Sequence, residues 1–476
     1  MAATGFAASA HAADLSVDSL KDPLPEKISY AGVTLYGTVD VGYGYQEHGY
    51  AFSDYWINAQ NYQPLKALQG SAPLNPSLAQ LPSRSVLNNN ALSTSTIGVK
   101  VEENIGAGFV AIAKLETGFN PLSGELGNGA ASLQQQSILK AAGQPYSSWV
   151  ASSDSARNGQ FLNGEAYGGV SSSTYGTLTF GRQDSLLRSA VKSYDPLAGS
   201  AAFSLVGNTG TIVQGAGDTE ASVWDNSLKY VYQYGPAHAA VQYSNGGNGT
   251  ALLGWGVGAN AGVTYKGVSV DGYYTKENAA VNLDSAIAGG TAPNFFIQNA
   301  FKYTVSNNEA WGAGAKYSFD LGGGFKDEST SKVTFFGGFV SVTSTNPDNS
   351  QASYAGNSAG GGYALTTASY TTAYVTDRVI QTAWVGATYE TGPWAFTGAY
   401  YHENQNDFQT AGGSGTLSPT VWGGNLDWVS GVVDYKFNKH FDVYAGVSWL
   451  DWSGHWASGQ STTQDINVNT GVRLKF

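Results

Sequence analysis

Two short stretches of the chain carry residue types that enzymes use, but neither has the surroundings that the chemistry requires. Residues 356–360 read Gly-Asn-Ser-Ala-Gly and fit the G-x-S-x-G pattern of serine hydrolases. That pattern needs a strand–turn–helix corner that holds the serine outward, whereas this stretch is rich in Ser and Gly, where such matches arise by chance. Residues 402–404 read His-Glu-Asn and lack the second histidine of a zinc-binding helix.

The histidines and the lack of cysteine exclude other common kinds of catalytic site. The chain has no cysteine, which excludes disulfides, thiolate nucleophiles and zinc–thiolate sites. The histidines show no metal-ligand spacing; they stand at positions 11, 48, 238, 402, 440 and 455. A barrel phospholipase would need a lipid-facing serine and histidine on adjacent strands, and we find no such pair. The sequence therefore predicts a protein that is not an enzyme and holds no metal or cofactor.

The composition favours a protein that lies in a membrane as a β-barrel. Charged residues make up 12% of the 476 residues, about half of what an average soluble domain carries. The mean hydropathy is -0.19, and no run of about 18 apolar residues is long enough for a membrane-spanning helix. A β-barrel can lie in a membrane despite this low mean hydropathy, because half of each strand faces the lumen and is polar. The net charge of -12 argues against nucleic acid as a partner, because phosphate contacts need clustered Lys and Arg.

Alternation of apolar and polar residues predicts strands that reach across a bilayer. In the last ten residues, 467–476, apolar or small residues stand at every even position and polar residues or glycine between them. Successive side chains of a strand point to opposite faces, so this strand has one face for lipid and one for water. Residues 33–45 alternate in the same way and end in tyrosines, which are typical of membrane interfaces.

About sixteen such stretches follow one another, each near the ~9–11 residues that a tilted spanning strand needs. They lie near 33–45, 94–103, 108–119, 165–172, 177–183, 226–235, 237–245, 255–266, 268–276, 309–319, 332–343, 379–390, 393–403, 428–437, 440–450 and 466–476. Short and long connections alternate between them, as in an outer-membrane barrel with tight periplasmic turns and long external loops. The predicted fold is an all-β, antiparallel transmembrane barrel over residues 33–476.

The amino end reads as a processed leader rather than as part of the barrel. Ala10 and Ala12 are spaced like the two small residues before a signal-peptidase cut, although no basic region precedes them. We interpret residues 1–12 as the remnant of a secretory signal peptide and residues 13–32 as an N-terminal lead-in.

Several stretches also carry a family resemblance. They are 34–40 (Thr-Leu-Tyr-Gly-Thr-Val-Asp), 97–103 (Ile-Gly-Val-Lys-Val-Glu-Glu), 175–183 (Tyr-Gly-Thr-Leu-Thr-Phe-Gly-Arg-Gln), 226–230 (Asn-Ser-Leu-Lys-Tyr) and the terminal Phe476. In these the chain resembles the sixteen-stranded trimeric general porins of Gram-negative outer membranes. The resemblance implies a homotrimer among outer-membrane lipid and lipopolysaccharide, with Phe476 read by the outer-membrane insertion machinery as an assembly signal.

The resemblance also implies that the third long loop, residues 184–225, folds into the barrel and narrows it. In the family, carboxylates of this loop face basic residues of the wall across the pore. The loop residues so implied are Arg188, Asp195, Asp218 and Glu220, and the wall residues are Lys100, Lys114 and Arg182.

Two features of this predicted constriction depart from the simplest pattern. Strict alternation would aim Arg182 at lipid, so we expect a β-bulge near Gly181 that turns it inward, as the family's Gly-Arg pair suggests. The chain has Thr96, and also Asn163 and Gly164, where family members often have arginine. With a less basic wall, we predict a weak cation preference in which Asp218 and Glu220 are the most influential carboxylates.

These features together predict a channel for passive diffusion of small hydrophilic solutes and ions. The nearest alternative is a substrate-specific channel for sugars or organic acids, which would bind its solute. A surface adhesin with a plugged lumen and a barrel enzyme are more distant alternatives. Conductance separates a channel from a plugged barrel, and saturable flux separates a specific channel from a general one.

Overall fold

The computed structural model describes residues 28–47, 83–122, 124, 161–208, 223–245, 255–286, 300–322, 331–345, 359–360, 363–364, 368–371, 376–409, 421–454 and 463–476. Among these, sixteen antiparallel strands pair in chain order and the last pairs with the first, so the sheet closes into a barrel. The strands are β1 (Val33–Gln46), β2 (Arg84–Asn89 and Thr96–Gly106), β3 (Phe109–Gly118), β4 (Ala166–Ser172), β5 (Gly176–Asp184), β6 (Val223–Tyr234), β7 (Ala237–Ser244), β8 (Gly256–Tyr265), β9 (Val268–Ala286), β10 (Ala300–Asp320), β11 (Lys332–Thr345), β12 (Arg378–Thr391), β13 (Trp394–Gln409), β14 (Val421–Lys436), β15 (Phe441–Gly454) and β16 (Gln464–Lys475). The predicted fold class is confirmed.

Exposure alternates along the strands as the sequence predicts. On β16, Ile466, Val468 and Leu474 are 38% to 44% exposed, whereas Asn467 and Asn469 between them are at most 1% exposed. Apolar side chains therefore cover the outside of the sheet, where lipid takes the place of water, and polar side chains turn inward.

The first and last strands close the barrel by pairing with each other. Gly37 and Phe476 exchange two backbone hydrogen bonds, from the Gly37 nitrogen at 2.9 Å and from the Phe476 nitrogen at 3.1 Å. A Cβ atom added to Gly37 would lie 2.5 Å from Cζ of Phe476. Glycine at position 37 thus lets the terminal ring rest directly on the backbone of the first strand.

The connections follow the predicted alternation. Short turns of two to four residues join β3, β5, β7, β9, β13 and β15 to the strand before each of them, and residues 321–331 form the longer link before β11. At the other rim the long connections lie mostly outside the described residues. Several strands run past their predicted ends: β9 and β10 continue to pair as far as Ala286 and Phe301, and β13, β14 and β15 are also longer than predicted at the rim with the long connections.

Short elements outside the barrel strands complete the fold. Ile28–Tyr30 pairs with the start of β1, and Ala368–Thr371 lies parallel to the start of β10. Ala359–Gly360 pairs with Tyr363–Ala364, and Ser358 of the hydrolase-like pattern lies outside the described residues. Two helices follow β5, α1 (Leu186–Tyr194) and α2 (Leu205–Asn208). Neither helix, nor any other among the described residues, is long and apolar enough to cross a membrane.

Candidate functional site

The segment that follows β5 lies inside the barrel; we call residues 185–208 the lumen segment. It begins at Ser185, whose hydroxyl caps α1 by accepting a hydrogen bond from the Arg188 nitrogen at 3.1 Å. Such a cap satisfies a backbone N–H group that the helix itself leaves free. Leu187 and Val191 of α1 are fully buried, so the apolar side of this helix is packed against the inner face of the sheet.

Hydrogen bonds attach the lumen segment to the opposite side of the barrel. The indole nitrogen of Trp384 on β12 donates to the Tyr194 carbonyl at 2.9 Å. On β14, Trp428 donates to the Phe203 carbonyl at 3.1 Å. The Ser448 hydroxyl on β15 donates to the Ala202 carbonyl at 3.1 Å. In a ring of sixteen strands, β13 lies opposite β5, so the segment extends along the inner wall from one side of the barrel to the other.

Glycines on the wall make room for the bulky residues of the lumen segment. A Cβ atom on Gly446 of β15 would lie 2.6 Å from the ring of Phe203. Gly314 on β10 meets the ring of Tyr194 in the same way, and Gly386 on β12 meets the ring of Pro196. These contacts put ring atoms directly on the wall backbone, closer than any side chain there would allow.

Asp195, directly after α1, anchors the segment with its carboxylate. It is 2% exposed and accepts hydrogen bonds from the Tyr401 hydroxyl at 2.5 Å and the Gly199 nitrogen at 2.5 Å. Burial raises the pKa of Asp195 above its ordinary value, and the hydrogen bond from Tyr401 acts in the opposite direction. Asp195 therefore fixes the end of α1 to Tyr401 on β13.

A second cluster of charges lies on the inner wall where the lumen segment leaves β5. The Lys114 ammonium lies between two carboxylates, 3.2 Å from Glu116 and 2.6 Å from Glu165. The Tyr36 hydroxyl donates to Glu116 at 2.9 Å, and Glu165 accepts from the Asp184 nitrogen at 3.0 Å. The charge of Lys114 is thus compensated twice over by its neighbours.

The other predicted wall bases also have partners. The Lys100 ammonium lies 4.7 Å from the centre of the Tyr36 ring, a distance typical of a cation–π contact. Arg182 is 6% exposed and donates to the carbonyl oxygens of Gly164 and Asn163, each at 2.9 Å. The expected bulge is present, since the pairing of β5 with β6 shifts register between Gly181 and Gln183.

Comparison with known proteins identifies this architecture. A family model described as Gram-negative porin matches residues 1–455. The chain belongs to the Gram-negative porins. It is a porin of the outer membrane, as the sequence predicts. No curated protein sequence matches the chain.

Solved structures share the fold of this porin at low sequence identity. An anion-selective porin from Comamonas acidovorans is 14% identical with a TM-score of 0.54, over 93% of this chain and 99% of that one. OmpT, an outer membrane protein of Vibrio cholerae, is 13% identical with a TM-score of 0.53, over 95% of this chain and 100% of that one. At this level of identity, the likeness concerns the fold alone.

The structure brings only some of the predicted constriction residues of this porin together. Arg188 is 7% exposed and lies 3.6 Å from the carboxylate of Asp184, at the start of the lumen segment. Asp195 lies at the far end of α1. Asp218 and Glu220 lie outside the described residues. The role of each of these residues, and of Lys100, Lys114 and Arg182, in ion passage stays a prediction.

Sequence reasoning missed the acidic partners of Lys114. Glu116 is two residues from Lys114 on the same strand, so alternation alone puts both on one face. Leu115 between them is 46% exposed, as expected for the outer face. Glu165 gave no such signal, because it directly precedes β4, which pairs with β3 only across a long connection. Among the described residues, no group of three or more His, Asp or Glu could hold a metal ion.

Proposed function

We propose that this porin is a general diffusion channel for small hydrophilic solutes and ions. The observation that carries the proposal is the lumen segment, which lies inside a closed barrel and is attached to its wall from β5 as far as β15. A barrel of sixteen strands is wide enough to leave an aqueous channel, and a segment inside it narrows that channel without requiring a moving part. Solutes are then sorted by size and by the fit of their charge to the lining.

The proposed charge selectivity is a weak preference for cations that declines as the salt concentration rises. The net charge of -12 and the compensation of Lys114 by two carboxylates support it. The screening length is about 10 Å in 0.1 M salt and about 3 Å in 1 M salt, so at high salt only charges close to the passage act on the ions within it. The Comamonas porin is named as anion-selective, so the fold alone does not require a preference for cations. A zero-current potential across a salt gradient measures the sign directly.

Planar-bilayer recordings and liposome swelling test the proposed function together. The purified porin should open in uniform steps, and swelling rates should fall smoothly with the size of neutral sugars. A substrate-specific channel for sugars or organic acids would instead show flux that saturates and a current that its solute blocks. A barrel without conductance would indicate a plugged surface protein and would contradict the proposal.

We further propose that the porin works as a homotrimer in contact with outer-membrane lipid and lipopolysaccharide. The outward face of β7 is apolar and exposed, with Val241 53% and Tyr243 46% exposed, and it could pack against a neighbouring barrel. Conductance in groups of three equal steps would support the trimer. A species that is purely monomeric in mild detergent would contradict it.

Removal of Phe476 should sharply reduce the amount of porin inserted in the outer membrane. We propose that the insertion machinery reads this ring, which ends the strand that closes the barrel. Gly37→Val should also reduce insertion, since its side chain would overlap the position of the Phe476 ring. Heat-modifiable mobility in gels measures the folded fraction. Gly398→Val is the matched control, because an added Cβ there meets no atom within 4 Å; normal insertion without Phe476 would refute the proposal.

A further inference from the structure

The second strand of the barrel is broken at a place where the chain turns inward. Arg84–Asn89 pairs with one half of β1 and Thr96–Gly106 with the other. Between them, residues 90–95 leave the sheet; we call them the inward turn. Asn90 begins it in the left-handed conformation, with φ of 60°, and its side-chain oxygen accepts from the Ser95 nitrogen at 2.8 Å.

A single carboxylate on β1 holds the inward turn. Asp40 is 0% exposed, and one of its oxygens accepts from the backbone nitrogens of Leu92 at 3.1 Å and Ser93 at 2.7 Å. Its other oxygen accepts from the Tyr444 hydroxyl at 2.6 Å. Its own backbone nitrogen donates to the Ser95 hydroxyl at 2.9 Å. Asp40 therefore joins the turn, its own strand and β15.

The two groups held by Asp40 touch neighbouring residues of the lumen segment, because the inward turn contacts Ala202 and Tyr444 contacts Phe203. In the inward turn, the Ala91 carbonyl accepts from the Ala202 nitrogen at 3.0 Å. On β15, the ring of Tyr444 meets that of Phe203 edge-to-face, with centroids 6.3 Å apart and planes at 90°. Ala91 is 3% exposed and Ala202 and Phe203 are fully buried, so water is excluded from these contacts.

We propose that Asp40 is a positioning residue for the narrow part of the channel and that the inward turn is a second element of the constriction. The lumen segment starts at β5, so its first residues are held by the chain itself. Its far end has no covalent tie to the wall it reaches, and the inward turn and Tyr444 hold it there together with the hydrogen bonds from β14 and β15. The inference rests on the proposed channel function and adds to it a residue outside the lumen segment.

The chemistry of Asp40 makes it hard to replace. A carboxylate accepts from several donors at once, whereas the amide of asparagine offers one acceptor oxygen and two N–H groups. In Asp40→Asn, the amide oxygen can accept from the turn, but the NH2 group then donates to the Tyr444 oxygen and the hydroxyl proton of Tyr444 loses its acceptor. In the opposite orientation of the amide, the backbone N–H groups of the turn face a donor. A buried donor left without a partner destabilises the arrangement that buries it, and the inward turn is the part free to move.

Single-channel recording of Asp40→Asn and Tyr444→Phe tests the proposal. We expect Asp40→Asn to raise the unit conductance and to increase the time spent in altered sublevels about tenfold, which corresponds to about 1.4 kcal/mol. Tyr444→Phe keeps the ring on Phe203 and removes one hydrogen bond, so we expect a smaller change in the same direction. Asp320→Asn is the matched control, because Asp320 is exposed at the end of β10 and the same charge is lost there.

Each outcome has a distinct meaning. If both variants fold and their conductance and sublevels equal those of the unaltered porin, Asp40 only stabilises the sheet and the inference is wrong. If Asp40→Asn does not insert, Tyr444→Phe decides: a raised conductance supports the inference, and an unchanged conductance refutes it. If the unaltered porin does not conduct, the proposed channel function fails, which is a different result from a conducting porin that is insensitive to Asp40.

Discussion

Gly446→Val should raise the unit conductance of this porin while leaving the barrel folded. The valine side chain would occupy the space that the ring of Phe203 takes on the wall, and overpacking of this kind costs about 1–3 kcal/mol. The sheet is held by continuous ladders of backbone hydrogen bonds on both sides of β15, whereas the far end of the lumen segment is held by individual hydrogen bonds from Trp428, Ser448 and the inward turn. The strain is therefore relieved by displacement of the segment, which widens the passage.

A neighbouring glycine provides the control for this substitution. Gly431 on β14 lies beside Gly446 in the sheet, and an added Cβ atom there meets no atom within 4 Å. Gly431→Val should leave the conductance unchanged while altering β-propensity in the same way. Equal conductance of the two folded variants would contradict the account of how the segment is seated.

Replacement of both acidic partners of Lys114 should shift the selectivity toward anions. Glu116→Gln with Glu165→Gln removes two negative charges and leaves the Lys114 ammonium, whose side chain is 17% exposed in the unaltered porin, without these two partners. Lys114→Gln removes one positive charge and should shift selectivity toward cations. The zero-current potential should move in opposite directions in the two variants and by more in 0.1 M than in 1 M salt, since screening lengths are about 10 Å and about 3 Å.

A distant ion pair serves as the control for the selectivity variants. Glu390 lies 2.9 Å from Lys436 near a short turn, and their side chains are 39% and 43% exposed. Glu390→Gln should have little effect on the potential, because water and salt screen it. Shifts of equal sign in the Lys114 and the glutamate variants would show that this cluster does not face the ion path.

The sheet was predictable from sequence because its signal is local. Each spanning strand must show lipid an apolar face over a fixed length, so alternation alone locates the strands and the side of each residue. The same rule put Asn467 and Asn469 inside and Val468 outside. The same rule would place Arg182 on the lipid side and so predicted a β-bulge beside it, and the register shift between Gly181 and Gln183 is that bulge.

The contacts of the site could not be predicted, because alternation assigns a face but not a partner. Asp40 and Tyr444 are 404 positions apart in the chain, and nothing in either strand identifies the other. Asp195 has the residue type of a pore carboxylate, yet it is buried under Tyr401. The break in β2 depends on the same distant contacts. The strand predicted near 94–103 therefore corresponds only to the second part of β2, Thr96–Gly106, and the first part, Arg84–Asn89, was missed.

The central claim, that the lumen segment bounds the ion path, is tested most directly by cysteine modification during recording. Ser193 is on the exposed side of α1, and the chain has no cysteine of its own. In Ser193→Cys, a bulky thiol reagent added to an open channel should lower the current in discrete steps. Ser173→Cys, in the turn between β4 and β5, should react without a change in current. Complete modification of Ser193→Cys, verified by mass, with unchanged conductance would contradict the account.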